Sequence, residues 1–145
     1  MKVILNYFYK SQIDRMFFCF ADPHFKRYTQ RRRIINNYLL QDYGYLLKEN
    51  GIIYSITDVE DLHNWHVKTL DKSPLYKRIP QDELESDPYL DCMKNTDEAR
   101  KVKRDGKQMF YGAWRRVRTN INSFKSLLEV LSKQEQQDEN EDEEN

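Results

Sequence analysis

The chemistry-bearing residue types of this chain crowd into "FFCFADPHFKRYTQRRR", residues 17 to 33. One acid, Asp22, ends a wholly apolar run. His24, Lys26, Arg27, Arg31, Arg32 and Arg33 follow it, with Phe25 and Tyr28 among them. Clustered cations with interleaved aromatics suit phosphates and stacked bases. An acid at the edge of such a patch can accept hydrogen bonds from a base. Guanine is the natural partner, because its N1–H and N2–H2 are both donors to one carboxylate; N7 is then left facing across the crevice. A second reading stands beside this one: Asp-Pro is an ordinary turn pair, and Arg32 and Arg33 open the next helix, where solvation alone would account for them.

Other constellations are weaker. His63 and His66 are three apart on one helix, a spacing that can share a metal, but no cysteine or third histidine completes a zinc set. Trp65 between them is expected to pack on the sheet. "NTDEAR" (95 to 100) places Thr96 as a helix cap, with Asp97 and Glu98 in the first turn. Capping and dipole compensation explain that pattern, and holding an amino-bearing ligand with Thr96 and Glu98 is the functional alternative. The sequence has no glycine-rich phosphate loop, no Ser-His-Asp order and no CxxC pair.

The elements that must position these residues alternate. "MFFCF" (16 to 20) reads as a strand buried on both faces, as in a parallel sheet. Ile34, Ile35, Tyr38, Leu39, Tyr43, Leu46 and Leu47 fall at helical spacing and predict a helix over 31–49, capped by Gly51. "GIIYSIT" (51 to 57) is a second strand. Thr57-x-x-Glu60 then reads as a capping box opening a helix over 58–70. "LYKRI" (75 to 79) is a short third strand, 80–95 an irregular connection, 96–104 a short helix, and "QMFYGAWRRV" (108 to 117) a last strand. Ile121, Phe124, Leu127, Leu128 and Leu131 make an amphipathic helical stripe over 119–133, and 134–145 is an acidic tail with too few apolar residues to fold. This order predicts an α/β sheet, mostly parallel. Ligands of such sheets sit off the carboxyl ends of the strands, and Asp22 and Thr57-Asp58 lie just past two of them.

Bulk composition agrees. A chain of 145 residues with 39% hydrophobic and 33% charged content fits one globular domain. No stretch approaches the ~18 apolar residues of a membrane span. Cys19 and Cys92 are too few for a disulfide framework. The net charge of zero hides an asymmetry: the tail over 134–145 holds seven acids, and without it 24 basic residues face 17 acidic ones. A basic body with an acidic tail is the pattern of a polyanion-binding domain, although acidic tails are also common solubilising appendages.

"MFFCFADPHFKR", "RRRIINNYLLQDYGYLLKENGIIYSITDVEDLHNW" and "NTDEARKVKRDGKQMFYGAWRRV" resemble the C-terminal half of the tRNA (guanine-N7)-methyltransferases, over roughly residues 1 to 118. "DPHFK" is similar to the eukaryotic branch rather than the bacterial one. The resemblance implies the second half of a class I, Rossmann-like S-adenosylmethionine-dependent methyltransferase sheet, mostly parallel with a final antiparallel strand. It implies methylation of N7 of a variable-loop guanine in tRNA, a WD-repeat β-propeller partner forming a heterodimer, and a nuclear location. It implies Asp22 as the active-site aspartate; Cys19 beside the cofactor, with Thr96 and Glu98 at the cofactor's methionine end or the target base; and His24, Lys26, Arg27, Arg31, Arg33 and Asp58 on the tRNA. Ala21 stands where relatives carry proline and Gln30 where they carry histidine. The glycine-rich cofactor loop of the family has no counterpart here, so the chain is expected to be truncated and to bind the cofactor weakly by itself. A non-catalytic RNA-binding module derived from the same family is the alternative.

Overall fold

Leu47–Thr57 is the longest strand, and every residue from Gly51 to Thr57 is buried. A strand covered on both faces must lie inside the sheet, and this one does. The computed structural model describes residues 4–118, in the order β1 (Ile13–Cys19), α1 (Asn37–Leu46), β2 (Leu47–Thr57), α2 (Glu60–Lys72), β3 (Tyr76–Arg78), α3 (Gln81–Glu85), α4 (Pro88–Lys94), α5 (Asp97–Arg104) and β4 (Phe110–Arg116). The expected helix over 119–133 and the acidic tail over 134–145 lie outside the described residues.

The strands form one sheet in the order β1-β2-β4-β3. β1 runs parallel to β2, while β4 inserts between β2 and β3 antiparallel to both. Three strands therefore share a direction and the last opposes them, as the resemblance implies. Each face carries its own core. Met16, Phe18, Ile53 and Trp114 pack under residues of α1 and α2 such as Leu40, Tyr43 and Leu70. Ile52, Tyr54, Ile56 and Ala113 pack under Leu84, Leu90 and Met93 of α3 and α4.

Four sequence expectations change. β1 is buried on one face only: Met16 and Phe18 are covered, while Phe17 and Cys19 are exposed, since on the opposite face Tyr89 of α4 meets the edge of Phe17, ring centroids 6.0 Å apart, without covering it. The helix expected over 31–49 is shorter. Residues Arg27–Arg32 make a 3-10 turn, Asn36 caps α1 by accepting from Leu39 N at 3.0 Å, and Leu47 already pairs with Ile13. Gly51 is thus not a helix cap but part of a bulge. Pairing passes from Ile13↔Leu47 to Arg15↔Ile52, two steps along β1 against five along β2. Asn50 takes φ 65° there, and a Cβ on Gly51 would lie 2.9 Å from the Lys48 carbonyl and 3.1 Å from that of Asp14. Thr57 does not cap α2: its Oγ1 accepts from Val59 N at 3.2 Å in a local turn, and Val59 occupies the cap position without a side-chain bond. The connection over 80–95 is mostly helical. Asp87 caps α4 through Tyr89 N at 2.9 Å, with Pro88 at the first helical position.

Candidate functional site

Beyond Cys19 the chain leaves the sheet through a tight loop. Phe20 N donates to Ile56 O at 2.8 Å, holding the exit of β1 against β2. Phe20 (φ 51°) and His24 (φ 44°) both adopt left-handed backbone, which costs a non-glycine residue about 1 kcal/mol or more and persists only where surrounding bonds impose it. They do so here. His24 N donates to Asp22 Oδ1 at 3.0 Å, and Arg33 Nε donates to Pro23 O at 2.8 Å. The loop presents Asp22 outward with 73% of its side chain exposed, and the His24 ring lies 3.8 Å from the carboxylate.

Asp22 stands on the rim of a cleft of about 740 Å³ between this loop and the start of α1. His24, Arg31 and Arg32 share that lining, and Ala21, Ile34 and Leu39 give it an apolar floor. Asn36, Tyr38 and Asp42 also line it. These three were hidden in the sequence inside the helical stripe; the Asn before "NYLL" marks a cap, but nothing there marks a cleft wall. Lys26 and Arg27 are exposed on the same loop and its 3-10 turn, with Lys26 Nζ 6.0 Å from the Tyr28 ring.

The other expected residues are placed differently. Arg33 is turned inward, 4% exposed, and its guanidinium lies 4.7 Å from the Trp65 ring centroid. Burial pulls its pKa below that of a free guanidinium, with Asp61 opposing. Its expected role on a tRNA phosphate does not fit this burial. Trp65 packs on Arg33 rather than on the sheet, and its Nε1 donates to Ile35 O at 2.8 Å. Asp58, past the end of β2, is half-buried and 3.4 Å from Lys107 Nζ. Cys19 is exposed at the end of β1. Thr96 caps α5, accepting from Ala99 N at 3.3 Å and donating to Met93 O at 3.1 Å. Glu98 is exposed in the first turn of that helix, which packs against α4.

As a cofactor set, Cys19, Thr96 and Glu98 fit S-adenosylmethionine only in part. Glu98 offers a carboxylate to an ammonium group, but the Thr96 hydroxyl is spent on its helix, and the chain has no glycine-rich turn for the adenosine end. For metals, no group of three or more His, Cys, Asp or Glu is close enough to share an ion among the described residues. No described helix is long and apolar enough to cross a membrane.

Comparison with known proteins bears on the same residues. A family model described as "Putative methyltransferase" matches residues 1–111, which include the whole Asp22 loop and cleft. The chain belongs to this methyltransferase family. Proteins named tRNA (guanine-N(7)-)-methyltransferase are 48% identical to it in Vanderwaltozyma polyspora, 47% in Zea mays and 48% in Arabidopsis thaliana, each over 118 residues and 81% of this chain. The resemblance read from the sequence motifs therefore holds over 118 residues of this chain. The aligned region spans 41%, 46% and 47% of those three relatives, less than half the length of each.

Proposed function

We propose that this chain carries the acceptor-binding part of an S-adenosylmethionine-dependent tRNA (guanine-N7)-methyltransferase acting on a variable-loop guanine. The observation that carries the reading is Asp22: an exposed carboxylate held by a strained, over-determined loop on the rim of a cleft that also contains Arg31 and Arg32. The names of the relatives support the substrate class.

The chemistry asks little of the protein beyond placement. N7 of guanine has an exposed lone pair, so no base is needed to make the nucleophile. S-adenosylmethionine, when bound, supplies a methyl group on a sulfonium. Asp22 accepts from N1–H and N2–H2, which fixes the base plane and turns N7 away from the carboxylate, an orientation task. The same negative charge offsets the positive charge that develops on the ring as N7 is alkylated. Lys26, Arg27, Arg31 and Arg32 hold the phosphates around the everted base. Glu98 is the residue here best suited to the amino-acid end of the methyl donor. A β-propeller (WD-repeat) partner and a nuclear location belong to the same proposal and rest on the resemblance to the eukaryotic branch alone.

The test is methyl transfer from labelled S-adenosylmethionine to an unmodified tRNA transcript, compared with Asp22→Ala and with a transcript whose variable-loop guanine is adenine. Label that depends on both Asp22 and the guanine supports the reading. Salt-sensitive tRNA binding with no label, and no preference for the guanine transcript, would establish the non-catalytic RNA-binding module instead.

A further inference from the structure

Arg33 sits ten residues beyond Pro23, yet it is bonded to that residue's carbonyl and buried while its neighbours Arg31 and Arg32 are exposed. A buried guanidinium needs a reason, since a cation leaves water only at a cost that specific partners must offset. Among the described residues Asp61 favours its charge, and two groups contact it directly. Nε reaches the Asp22 loop at Pro23 O, and the guanidinium plane packs on the Trp65 ring of α2.

The backbone that carries Arg33 is pinned carbonyl by carbonyl. Asn36 Nδ2 donates to Arg33 O at 2.8 Å, Tyr43 OH to Ile34 O at 2.9 Å, Trp65 Nε1 to Ile35 O at 2.8 Å, and Leu40 N to Asn36 O at 3.0 Å. Ile35 and Tyr43 are fully buried. The segment over 33–36 is therefore a fixed post between α1 and α2, and Arg33 is its arm to the loop. Pro23 cannot donate a hydrogen bond, so the loop's remaining handle at that residue is the carbonyl that Arg33 takes.

We propose that Arg33, braced by Trp65, is a positioning residue that sets the orientation of the Asp22 carboxylate for base recognition, and is not a phosphate ligand. This rests on the reading of Asp22 as the guanine-binding group. Without the Arg33 bond, the Asp22-Pro23-His24 turn loses its anchor to the helices, and its short internal bond from His24 N to Asp22 Oδ1 opens more often. Lysine is a poor replacement, because it lacks a planar fork to donate and stack at once.

The experiment uses the full chain and two unmodified tRNA transcripts, one with the variable-loop guanine and one with adenine there. Arg33→Met is expected to lower the guanine-over-adenine binding preference by about tenfold, the size of one well-made base contact, while affinity for the adenine transcript stays within about twofold of the parent and the salt slope within about 0.3 of it, less than one phosphate contact. Trp65→Phe, which keeps a ring for the guanidinium but loses the donor to Ile35, falls between. Equal weakening on both transcripts with a shallower salt slope would make Arg33 a phosphate ligand and overturn the proposal. If Asp22→Asn leaves the preference intact, the guanine reading fails. The positioning claim is then decided without nucleic acid, by hydrogen exchange of the His24 amide. Arg33→Met should speed that exchange at least tenfold with the α1 and α2 amides unchanged, and an unchanged rate would refute it. Should Arg33→Met not fold, Arg33→Lys carries both measurements.

Discussion

His66 Nδ1 lies 2.7 Å from Ser55 Oγ, a histidine of α2 bonded to a serine of β2 where both are fully buried. The pair of histidines that the sequence offered as a metal candidate is thus divided between structural tasks. His63 stacks on Phe110 with ring centroids 5.8 Å apart, and His66 Nε2 and His63 Nδ1 are buried without a hydrogen-bond partner among the described residues. Burial, with smaller contributions from His63 and Arg33, pushes the His66 pKa down to about 4, and burial followed by Arg78 lowers that of His63. A folded-state pKa below the ordinary 6.5 means the native state favours the neutral ring. The contribution to stability is complete above about pH 6.5 and is lost as pH falls toward 4. It amounts to about 3 kcal/mol for His66. Urea midpoints measured from pH 7.5 to 4.5 should fall accordingly. His66→Gln, which keeps a hydrogen-bonding group without a proton to gain, should flatten the curve, and an unchanged slope in that variant would remove His66 as the cause.

Gly112 and Trp114 share a face of β4, and the Trp114 ring lies across the glycine. A Cβ at 112 would stand 2.6 Å from Trp114 Cη2. The ring cannot retreat, since Trp114 is fully buried and its Nε1 donates to Asp71 Oδ1 at 2.6 Å. Gly112→Ala is expected to cost about 1–3 kcal/mol as an overpacking change, with a shifted tryptophan emission. In a Trp114→Leu background the same alanine should cost under about 0.5 kcal/mol, because the clash has gone. An equal penalty in both backgrounds would point to the backbone rather than the ring.

Asp87 does two jobs with its two oxygens. Oδ1 caps α4 through Tyr89 N at 2.9 Å, and Oδ2 accepts from the buried Tyr54 hydroxyl at 2.6 Å. Burial, then this bond, raises the Tyr54 pKa to about 12. Asp87→Ala removes the cap and the acceptor of the hydroxyl proton, with Arg15 still bonded to the Tyr54 oxygen, for a cost of about 2–3 kcal/mol. Tyr54→Phe should recover part of that loss when combined with it, so the two changes should be clearly non-additive in a denaturation cycle. Simple additivity would mean the hydroxyl finds another partner.

The dipeptide Asp-Pro shows how far the sequence could be read. It occurs at 22–23, where it forms a strained loop, and at 87–88, where it opens a helix. Local propensity favours both uses, and what separates them is the long-range bond from Arg33 to Pro23. The alternation of strands and helices, the Thr96 cap and the placement of Asp22 beyond β1 were all legible, because spacing and turn chemistry carry them. The length of α1 was not. Ile34 and Ile35 continue its apolar period, but their carbonyls bind Tyr43 and Trp65 instead of helical amides. Nor was the one-sided burial of β1: four apolar residues in a row say nothing of which face is covered, and Phe17, stacked on Tyr54 at 4.9 Å, is still 42% exposed. The inward turn of Arg33 was invisible beside Arg31 and Arg32, since three consecutive arginines look alike until a partner 32 residues away in sequence, Trp65, is folded onto one of them.

The split among those arginines gives a prediction about salt. Lys26, Arg27, Arg31 and Arg32 are exposed on the loop and the 3-10 turn beside the cleft, whereas Arg33 is covered. Each phosphate contact releases counterions and adds about −0.7 to −0.9 to the slope of log K against log salt, so four contacts give a slope near −3 for tRNA. Lys26→Ala and Arg31→Ala should each make the slope shallower by about 0.7–0.9. Both should weaken guanine and adenine transcripts alike, because phosphate contacts carry no base information. Asp22→Asn should do the reverse, leaving the slope in place and removing the preference between transcripts. Titrations from 50 to 300 mM salt read both quantities at once. A slope that stays near −3 after Lys26 and Arg31 are both replaced would move the tRNA backbone off this loop.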